Sequence, residues 1–415
     1  MSVSFQRVTM VGLGYIGLPT AAVLANCGVE VIGVDINQEA VDTINRGEIH
    51  IVEPDLDGLV HHVVSKGLLR ATTTPESADA FIIAVPTPFK GDHEPDLCYV
   101  EAASRSIAPV LKKGDLVILE STSPVGATEQ VAKWLAEARP DLVIEVNNGA
   151  SADINIAYCP ERVLPGKVLT ELVSNDRVVG GLTRKCAERA ATLYRQFVKG
   201  ECIITDARTA EMCKLTENSF RDVNIAFANE LSIICDRLNI NVWELIRLAN
   251  RHPRVNILQP GPGVGGHCIA VDPWFIVSQA PNEAKLIRKA REVNDYKPHY
   301  VLNKIIDATK GINKPVIACL GLAFKANIDD LRESPSLDIV QHLAGKNAGK
   351  VLAVEPHISS LPSSLAGLGV ELVSLNDALA VANVVVLLVD HAEFNGITAK
   401  DVGAAVLIDT RGRLR

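Results

Sequence analysis

Apolar runs of about four to eight residues alternate with longer segments of mixed polarity through the first half of the chain. The runs are RVTMVGLG, EVIGVD, AFIIAVP, LVILEST and INIAYCP, and polar or helical sequence such as LPTAAVLANCG follows them. Short apolar runs predict buried strands, and strands that alternate with helices form a parallel sheet with right-handed crossovers. We therefore expect an α/β domain over residues 1–205.

The pattern changes after this region. From Thr209 to about Arg237 the chain has no glycine or proline, and apolar residues recur at helical spacing. A helix of this length would extend about 40 Å, so it either spans one large domain or connects two domains. More helical sequence follows in VWELIRLANRH and across residues 280–308. We predict a central helical domain over residues 206–308, with the long helix as the connector.

Strand-like runs return after Lys314. They are PVIACLGLAF, KVLAVEP, VELVS, VVVLLVD and AVLIDT, and they predict a second α/β domain over residues 309–415. This second pattern is the reason to prefer a connector over a single large domain.

The chain has 415 residues, of which 47% are hydrophobic and 22% charged, as in soluble globular proteins. A net charge of −8 argues against nucleic acid or an anionic membrane as the main partner. The start, MSVSFQRVTMVGLG, does not resemble a signal peptide, and the apolar run ANVVVLLVD is too short to cross a bilayer. Nine scattered cysteines without a CxxC pair predict reduced thiols in a cytoplasmic protein, with no metal site.

The segment VGLGYIG is a candidate dinucleotide-binding loop. It places Gly12, Gly14 and Gly17 in the spacing G-x-G-x-x-G between a strand and a helix, with Tyr15 and Ile16 inside the motif. Such glycines allow a tight turn, close approach of a pyrophosphate and close packing of the helix, whose N-terminus binds phosphate. Asp35, 23 residues after Gly12, would bind the ribose hydroxyls and disfavour NADP. We predict NAD as cofactor.

The predicted fold class is therefore α/β, with an N-terminal Rossmann-like dinucleotide-binding domain, a long central helical connector and a C-terminal Rossmann-like domain. The segment CLGLAFK, after the first strand of the last domain, lacks the fingerprint, so a nucleotide there would be bound differently. Thr87 and Thr122 follow strands, where ligands of open α/β sheets bind, although each threonine would also suit a turn or a helix cap.

Five residues are candidates for chemistry, and each has a simpler interpretation. Lys214 and Asn218 share a helix face, but Lys214 could form a solvated pair with Glu211. Glu161 could be a surface charge. Cys268 and Asp272 face each other if their segment is helical or if a turn joins them. The adjacent His267 points away from Cys268, so we interpret it as structural or as a substrate contact.

Taken together, the motifs VGLGYIG, VPTP, YCPER, EMCKLTENS and GVGGHC, in this order, resemble the UDP-glucose/GDP-mannose dehydrogenase family of UDP-sugar 6-dehydrogenases. The resemblance covers essentially the whole chain, including LGLAFKANIDDLRESPS. It implies oxidation of a primary alcohol to a carboxylate with two NAD, through a thiohemiacetal and a thioester on Cys268. It further implies that Lys214 and Asn218 stabilise oxyanions, Asp272 orders Lys214 and a water, and Glu161 serves in thioester hydrolysis.

The resemblance also implies ligand-binding positions. In the last domain Lys325 and Arg332 match residues that contact the nucleotides, Lys325 on the substrate and Arg332 on the cofactor. Arg254 lies near a family arginine that reaches substrate from a neighbouring subunit, with Arg251 as the competing choice, and the assembly implied is a homodimer. Further substrate-binding positions are Arg162, Lys214, Asn218 and Gly265, where glycines before the cysteine would let substrate approach the backbone.

Within the family, PTPFKGDHEPD and RHPRVNILQPGPGVGGHCIAVDPWF are closest to the branch that oxidises UDP-N-acetyl-D-mannosamine (UDP-ManNAc) for enterobacterial common antigen, a cell-surface polysaccharide. UDP-GlcNAc and UDP-glucose remain alternative substrates. Two rival functions remain as well. One is a two-electron dehydrogenase of the 3-hydroxyacid or 6-phosphogluconate type, and the other is a non-catalytic NAD-binding regulator.

Overall fold

The computed structural model describes residues 5–91, 93–144, 152–164, 166–266 and 268–414. The chain divides into two compact units, residues 1–217 and 218–415, and the division falls within one long helix. Each unit is described separately below.

The N-terminal unit is built on one large sheet. Its strands are β1 Arg7–Val11, β2 Glu30–Val34, β3 Leu69–Thr72, β4 Ala80–Ile83, β5 Phe89–Lys90, β6 Glu94–Pro95, β7 Leu116–Leu119, β8 Asn155–Tyr158, β9 Arg177–Gly181 and β10 Cys202–Asp206. Its helices are α1 Gly17–Asn26, α2 Gln38–Asn45, α3 Leu56–Ser65, α4 Cys98–Ile107, α5 Ala127–Ala138, α6 Val168–Ser174, α7 Arg184–Tyr194 and the first part of α8 Ala207–Leu238.

The order of strands in this sheet is β10-β9-β8-β7-β4-β1-β2-β3, and β5 with β6 forms a separate short hairpin. Strands β1, β2, β3, β4, β7 and β8 run parallel to one another. Strands β2 and β3 extend the sheet on one side of β1, and the chain then returns to place β4 on the other side of β1. Ligands of open α/β sheets bind at the carboxyl ends of strands at such a point. The loops after β1, β4, β7 and β8 therefore share one edge of the sheet.

The expectation of a purely parallel sheet needs one correction. Strand β9 pairs antiparallel with β8, and β10 runs parallel to β9, so the last two strands are reversed. The apolar runs identified β1, β2, β4, β7 and β8 but missed β3, β9 and β10. Strands β3 and β10 have less continuous burial than β1, β4 and β7, whose apolar side chains are buried on both faces of the sheet. Strand β9, RVVGG, ends in two glycines, which weaken a strand pattern.

Helix α8 extends over 32 residues and matches the predicted connector within two residues at each end. It begins after Asp206, whose carboxylate accepts hydrogen bonds from the Thr209 amide at 2.9 Å and from the Thr209 hydroxyl at 2.6 Å. A carboxylate in this position satisfies amide groups that have no partner within the helix. The start of α8 is therefore fixed by its own sequence.

The C-terminal unit contains a second α/β sheet after a helical region. Its helices after α8 are α9 Val242–Ala249, α10 Asp272–Gln279, α11 Lys285–Thr309, α12 Pro335–Gly345, α13 Leu375–Val381 and α14 Ala399–Val402. Its strands are β11 Val316–Leu320, β12 Lys350–Val354, β13 Glu371–Leu372, β14 Val384–Leu387 and β15 Val406–Asp409. The order β13-β12-β11-β14-β15 is parallel throughout the described strands, as expected.

Within this unit, a buried polar network joins α8 to α11. Arg291 pairs with Asp222 at 2.7 Å, and the Asn294 amide donates to the same carboxylate at 2.8 Å. Asn229 donates to the Asn294 oxygen at 2.9 Å and accepts from the Gly261 amide at 2.9 Å. Removing one partner of such a network would leave a buried charge unpaired, which is strongly destabilising. The network therefore holds α8, α11 and the start of the glycine-rich segment in fixed positions. The α/β fold class is thus confirmed, with a mostly parallel sheet before the central helical segment of the chain and a parallel sheet after it.

Candidate active site

The glycine loop of the N-terminal unit has the geometry of a dinucleotide-binding turn. Gly12 has φ of 93°, and a Cβ there would overlap the Ala84 carbonyl oxygen. A Cβ on Gly17, the first residue of α1, would overlap the Gly12 carbonyl oxygen. In contrast, a Cβ on Gly14 would have no atom within 4 Å, so the backbone is open where a pyrophosphate would approach. The partly exposed Tyr15 and Ile16 complete the turn before α1.

Asp35 lies directly after β2 and faces this loop. One carboxylate oxygen accepts from the Leu13 amide at 3.0 Å, and the other accepts from the Asn37 amide at 2.9 Å. The side chain is half-buried, so both oxygens keep lone pairs for further donors. An anionic acceptor beside an open glycine turn and a helix N-terminus fits the ribose and pyrophosphate of NAD.

Thr87 and Thr122 lie in the loops after β4 and β7. The Thr87 hydroxyl donates to the Thr122 carbonyl at 2.5 Å, which joins the two loops at the carboxyl edge of the sheet. Both residues are half-buried. The described contact is the structural one that a turn residue makes, and a ligand role for the two threonines stays a prediction.

Glu161 follows β8 and is not a surface charge. Its side chain is 7% exposed, one oxygen lies 2.7 Å from the Arg177 guanidinium, and the other accepts from the Arg162 amide at 2.6 Å. The Arg162 guanidinium pairs with Glu217 at 2.7 Å and donates to the Asp176 carbonyl at 3.0 Å. Arg162 is therefore held by protein groups.

The simpler alternative for Lys214, a solvated pair with Glu211, does not form. Glu211 is buried and accepts from the amides of Gly126 at 2.6 Å and Thr128 at 2.8 Å, and from the Thr128 hydroxyl. Burial raises the pKa of Glu211, against the effect of these hydrogen bonds. Lys214 is half-buried, and the described residues provide no ion pair for its ammonium group. One turn of α8 separates Lys214 from Asn218.

In the C-terminal unit, a turn brings Cys268 next to Asp272. The Cys268 carbonyl accepts from the amides of Val271 at 3.1 Å and Asp272 at 2.9 Å, and α10 begins at Asp272. Cys268 is exposed, whereas Asp272 is 3% exposed and accepts from the Asn218 amide group at 2.5 Å. His267, the neighbour for which we expected a structural or substrate-contact role, lies outside the described residues.

The glycines before Cys268 serve protein packing in this structure. A Cβ on Gly265 would overlap the Glu333 carbonyl oxygen and lie 2.6 Å from Pro335, in the segment between β11 and α12. Gly266 also packs on Phe324 of this segment. The close approach we attributed to substrate is thus an approach of one protein segment to another, and a substrate role for Gly265 stays a prediction.

The remaining predicted binding residues lie in loops of the C-terminal unit. Arg251 and Arg254 follow α9 and are exposed, so their exposure does not separate the two choices. Lys325 is half-buried after β11, and Arg332 pairs with Asp330 at 2.7 Å with 56% of its side chain exposed.

The loop after β11 repeats the hydrogen-bond pattern of the loop after β1. The Gly321 amide donates to the Val354 carbonyl at 2.8 Å, as Gly12 does to Val34 at 2.8 Å. The Leu322 amide donates to Glu355 at 2.7 Å, as Leu13 does to Asp35. Glu355, however, is buried. This burial is a physical reason why the loop lacks the dinucleotide fingerprint, and the sequence analysis did not identify it.

The buried carboxylate of Glu355 is hydrogen-bonded to the imidazole of His391. His391 Nε2 lies 3.0 Å from Glu355, and its Nδ1 accepts from the Asn327 amide at 3.0 Å. Nε2 must then carry the proton and donate. His357 lies close enough for the three side chains to form a potential metal-ligand cluster, but both ring nitrogens of His391 are already engaged. Glu355 therefore holds the loop rather than a ribose.

Sequence reasoning also missed Glu120 and Arg177, which are buried near Glu161. Glu120 directly follows β7 within LVILEST, so its position at a strand end was a usable signal. Arg177 offered none, because its pairing with Glu161 depends on the direction of β9.

Within the described ranges, no helix has the length and apolar content needed to cross a membrane. The structure forms no disulfide among its described cysteines.

Models of all three domains of one family match the chain. They are the NAD binding domain of the UDP-glucose/GDP-mannose dehydrogenase family over residues 6–198, its central domain over residues 208–296 and its UDP binding domain over residues 318–415.

Close relatives extend over the full length. The chain is 66% identical over 412 residues to NDP-N-acetyl-D-galactosaminuronic acid dehydrogenase of Ralstonia nicotianae, covering 99% of this chain and 97% of that protein. It is 64% identical over 417 residues to UDP-N-acetyl-D-mannosamine dehydrogenase of Escherichia coli K12, covering 99% of both. The solved structure of the UDP-D-ManNAc dehydrogenase of Pyrococcus horikoshii is similar with a TM-score of 0.88 at 40% identity, covering 99% of this chain and 96% of that one.

The matches confirm the predicted enzyme class and its cofactor, NAD. They also confirm the resemblance from which the candidate residues were taken. The chain belongs to the UDP-glucose/GDP-mannose dehydrogenase family and is an NAD-dependent UDP-sugar dehydrogenase.

Proposed function

We propose that the chain oxidises UDP-ManNAc to UDP-N-acetyl-D-mannosaminuronate with two NAD, through covalent intermediates on Cys268. The observation that carries this proposal is the geometry of the turn before α10. The turn leaves Cys268 exposed. Asp272, four residues after Cys268, is buried and accepts a hydrogen bond from Asn218. A nucleophile must be reachable by substrate, and the groups that order its surroundings must be rigid.

The proposed route balances two oxidations and one hydrolysis. The first oxidation converts the primary alcohol at C6 of the sugar to an aldehyde. The Cys268 thiolate adds to the aldehyde to give a thiohemiacetal, and the second oxidation gives a thioester. Water then forms a bond to the carbonyl carbon, the carbon–sulfur bond breaks, and the thiolate is regenerated. NAD, when bound, accepts the hydride in each oxidation.

The other candidate residues have roles that match their charges. The Lys214 ammonium group, which has no ion pair among the described residues, would stabilise the oxyanions that form at C6, with the Asn218 amide as a second donor. Asp272 would order Lys214 and a water. Glu161, held beside a guanidinium, would accept the proton of the attacking water.

Relatives at similar identity are named for different sugars, so a second sugar belongs in the test. The Ralstonia nicotianae relative is named for N-acetyl-D-galactosaminuronic acid, and its 66% identity is close to the 64% of the mannosamine enzyme. The motifs PTPFKGDHEPD and RHPRVNILQPGPGVGGHCIAVDPWF support the mannosamine branch.

A substrate panel with a count of NADH tests the proposal. We expect UDP-ManNAc to give the highest kcat/KM among UDP-ManNAc, UDP-GalNAc, UDP-GlcNAc and UDP-glucose, with two NADH per sugar. Free N-acetylmannosamine should be nearly inert, because the binding energy of UDP positions the reacting carbon. Faster oxidation of UDP-GalNAc would assign the chain to the galactosamine branch. One NADH per sugar would exclude the thioester route and favour a two-electron dehydrogenase.

We further propose that the product serves enterobacterial common antigen synthesis and that the enzyme works in the cytoplasm. Expression of the chain in a bacterium that lacks its own UDP-ManNAc dehydrogenase should restore the antigen on an immunoblot. A Cys268→Ala variant expressed at the same level should not restore it.

We also propose a homodimer that uses the exposed face of α8. Phe220, Phe227 and Ile234 are 70%, 50% and 45% exposed, and they are spaced seven residues apart. Residues seven apart lie on the same face of a helix, and apolar side chains of this size are seldom exposed together on a monomer. A second copy of the same helix would bury them.

A further inference from the structure

Four buried ionisable groups lie behind Glu161 in the N-terminal unit and have no part in the proposed route. They are Glu120 at the end of β7, Cys159 at the end of β8, Arg177 at the start of β9 and Tyr194 at the end of α7. The side chains of Glu120 and Arg177 are 0% and 2% exposed. Buried charges are rare unless they are paired, so this group requires a physical account.

The sheet explains why these residues meet. Leu119 pairs with Tyr158 in parallel strands, so Glu120 and Cys159 come next along β7 and β8. Tyr158 pairs with Gly180 in antiparallel strands, and continuing this register brings Glu161 opposite Arg177. The reversed direction of β9 thus delivers a guanidinium to the carboxyl edge of the sheet.

The contacts are unequal. The Arg177 guanidinium lies 2.7 Å from Glu161 and 3.7 Å from Glu120. The Tyr194 hydroxyl donates to Glu120 at 3.1 Å, and Arg177 stacks over the Tyr194 ring at 5.1 Å. Arg177 is therefore the partner of Glu161, whereas Glu120 has a neutral donor.

One cation and two carboxyl groups do not balance in a buried site. With both carboxylates ionised, the group would hold an uncompensated negative charge, which costs several kcal/mol in the interior. Burial and the neighbouring Glu161 raise the pKa of Glu120 to about 8, despite the opposite effect of Arg177. Burial raises the pKa of Cys159 to about 12 and that of Tyr194 well above its usual value, so both stay neutral.

We infer that Glu120 is protonated at neutral pH and that Arg177, left to a single carboxylate, is a positioning residue that holds Glu161 in its orientation. The inference deepens the proposed function, since it rests on Glu161 as the base of the hydrolytic step. In that step the water proton goes to Glu161, hydroxide oxygen bonds to the thioester carbon, and the electron pair of the carbon–sulfur bond returns to Cys268.

The protonation of Glu120 can be measured without any turnover. An infrared difference spectrum of native enzyme minus Glu120→Gln at pH 7 should show the carbonyl stretch of a protonated, buried carboxylic acid. The same band in the native enzyme should disappear on titration through about pH 8. A difference spectrum at pH 7 with only carboxylate bands would overturn the inference.

The role of Arg177 is tested by separating the oxidations from hydrolysis. In Arg177→Met, Glu161 loses the guanidinium that holds it in place, so hydrolysis should slow by about 100-fold, as for loss of a general base. The rapid first-turnover NADH should persist, because the oxidations do not use Glu161. Arg177→Lys should restore part of the rate.

Equal slowing of oxidation and hydrolysis in Arg177→Met, without partial recovery of hydrolysis in Arg177→Lys, would reduce Arg177 to a structural residue. A native enzyme that released one NADH per sugar would remove the proposed function, while the infrared band would still decide the protonation of Glu120.

Discussion

At the residue scale, we predict that the carboxylate of Asp35 favours NAD over NADP. Both of its oxygens accept backbone amides, so the charge is fixed at the end of β2, where a 2′-phosphate would meet it. Asp35→Asn keeps an acceptor for one of the two amides and removes the charge. We expect the NADP-to-NAD ratio of kcat/KM to rise by about tenfold, which corresponds to about 1.4 kcal/mol.

Steady-state kinetics with both cofactors measures this ratio. Glu39→Gln is the matched control, because Glu39 is an exposed acid in the first turn of α2 and should leave the ratio unchanged. Comparable kcat/KM for NAD and NADP in the native enzyme would contradict the role of Asp35.

Cys268 is the second residue whose chemistry can be isolated. Cys268→Ser should fold and bind NAD normally but lose turnover by several orders of magnitude, because a serine alkoxide is far harder to form than a thiolate. A covalent sugar adduct through the serine oxygen would be detected by intact-protein mass spectrometry. Cys27→Ser and Cys98→Ser alter the other exposed cysteines and should retain turnover. Near-native activity of Cys268→Ala would mean that the thiol has no covalent role.

Motif residues could be proposed from sequence, but their partners could not. The spacing of Gly12, Gly14 and Gly17 suggested their conformations, because the steric demands of a turn are local. The pairing of Glu161 with Arg177 and of Glu355 with His391 depends on strand register and on side chains 16 and 36 residues apart. Hydrophobic periodicity has no information about either.

At the scale of elements, the apolar stripe of α8 leads to a prediction about assembly. Phe227→Ser should convert a dimer to a monomer, since it removes the central side chain of the stripe formed by Phe220, Phe227 and Ile234. Light scattering coupled to size-exclusion chromatography measures the mass. Leu248→Ser changes a comparably exposed apolar residue on α9, 58% exposed, and should leave the dimer intact. A native enzyme of monomer mass would refute this use of the stripe.

Elements differ in how well local sequence predicts them. Helix α8 was predicted almost to its bounds because glycine and proline are absent and Asp206 caps its start. The reversal of β9 was not predicted, because strand direction is set by the connection between strands, not by the composition of RVVGG. The predicted three-domain boundaries stay a prediction beside the two compact units.

At the scale of the whole molecule, Lys297 makes stability depend on pH. Lys297 is a residue of α11 in the C-terminal unit and is 5% exposed. Its ammonium group donates a hydrogen bond to the Ser232 hydroxyl on α8. Burial lowers the pKa of Lys297 to about 8. In the unfolded chain this lysine keeps its proton up to about pH 10.4. Between about pH 8 and about pH 10.4 the free energy of unfolding therefore increases as the pH rises. Below about pH 8 the folded protein bears the full cost of the buried charge.

Lys297→Met should therefore raise the thermal midpoint at pH 7, by a free energy on the order of 2 kcal/mol, and the difference from native should shrink towards pH 10. Thermal unfolding across this pH range, followed for native and variant together, measures the difference. Lys289→Met, on the exposed side of α11 with 72% of its side chain exposed, is the control and should shift little. A variant that is less stable at every pH would show that the ammonium group is a net stabilising donor.

The repeated hydrogen-bond pattern after β1 and β11 has a consequence for which carboxylate stays accessible. Both turns share an amide-to-carbonyl bond and an amide-to-carboxylate bond. After β11 the imidazole of His391 already holds the buried carboxylate of Glu355. One turn geometry therefore serves two purposes: the half-buried Asp35 remains open to exchange with a small molecule, whereas Glu355 works as an internal fastener of the loop.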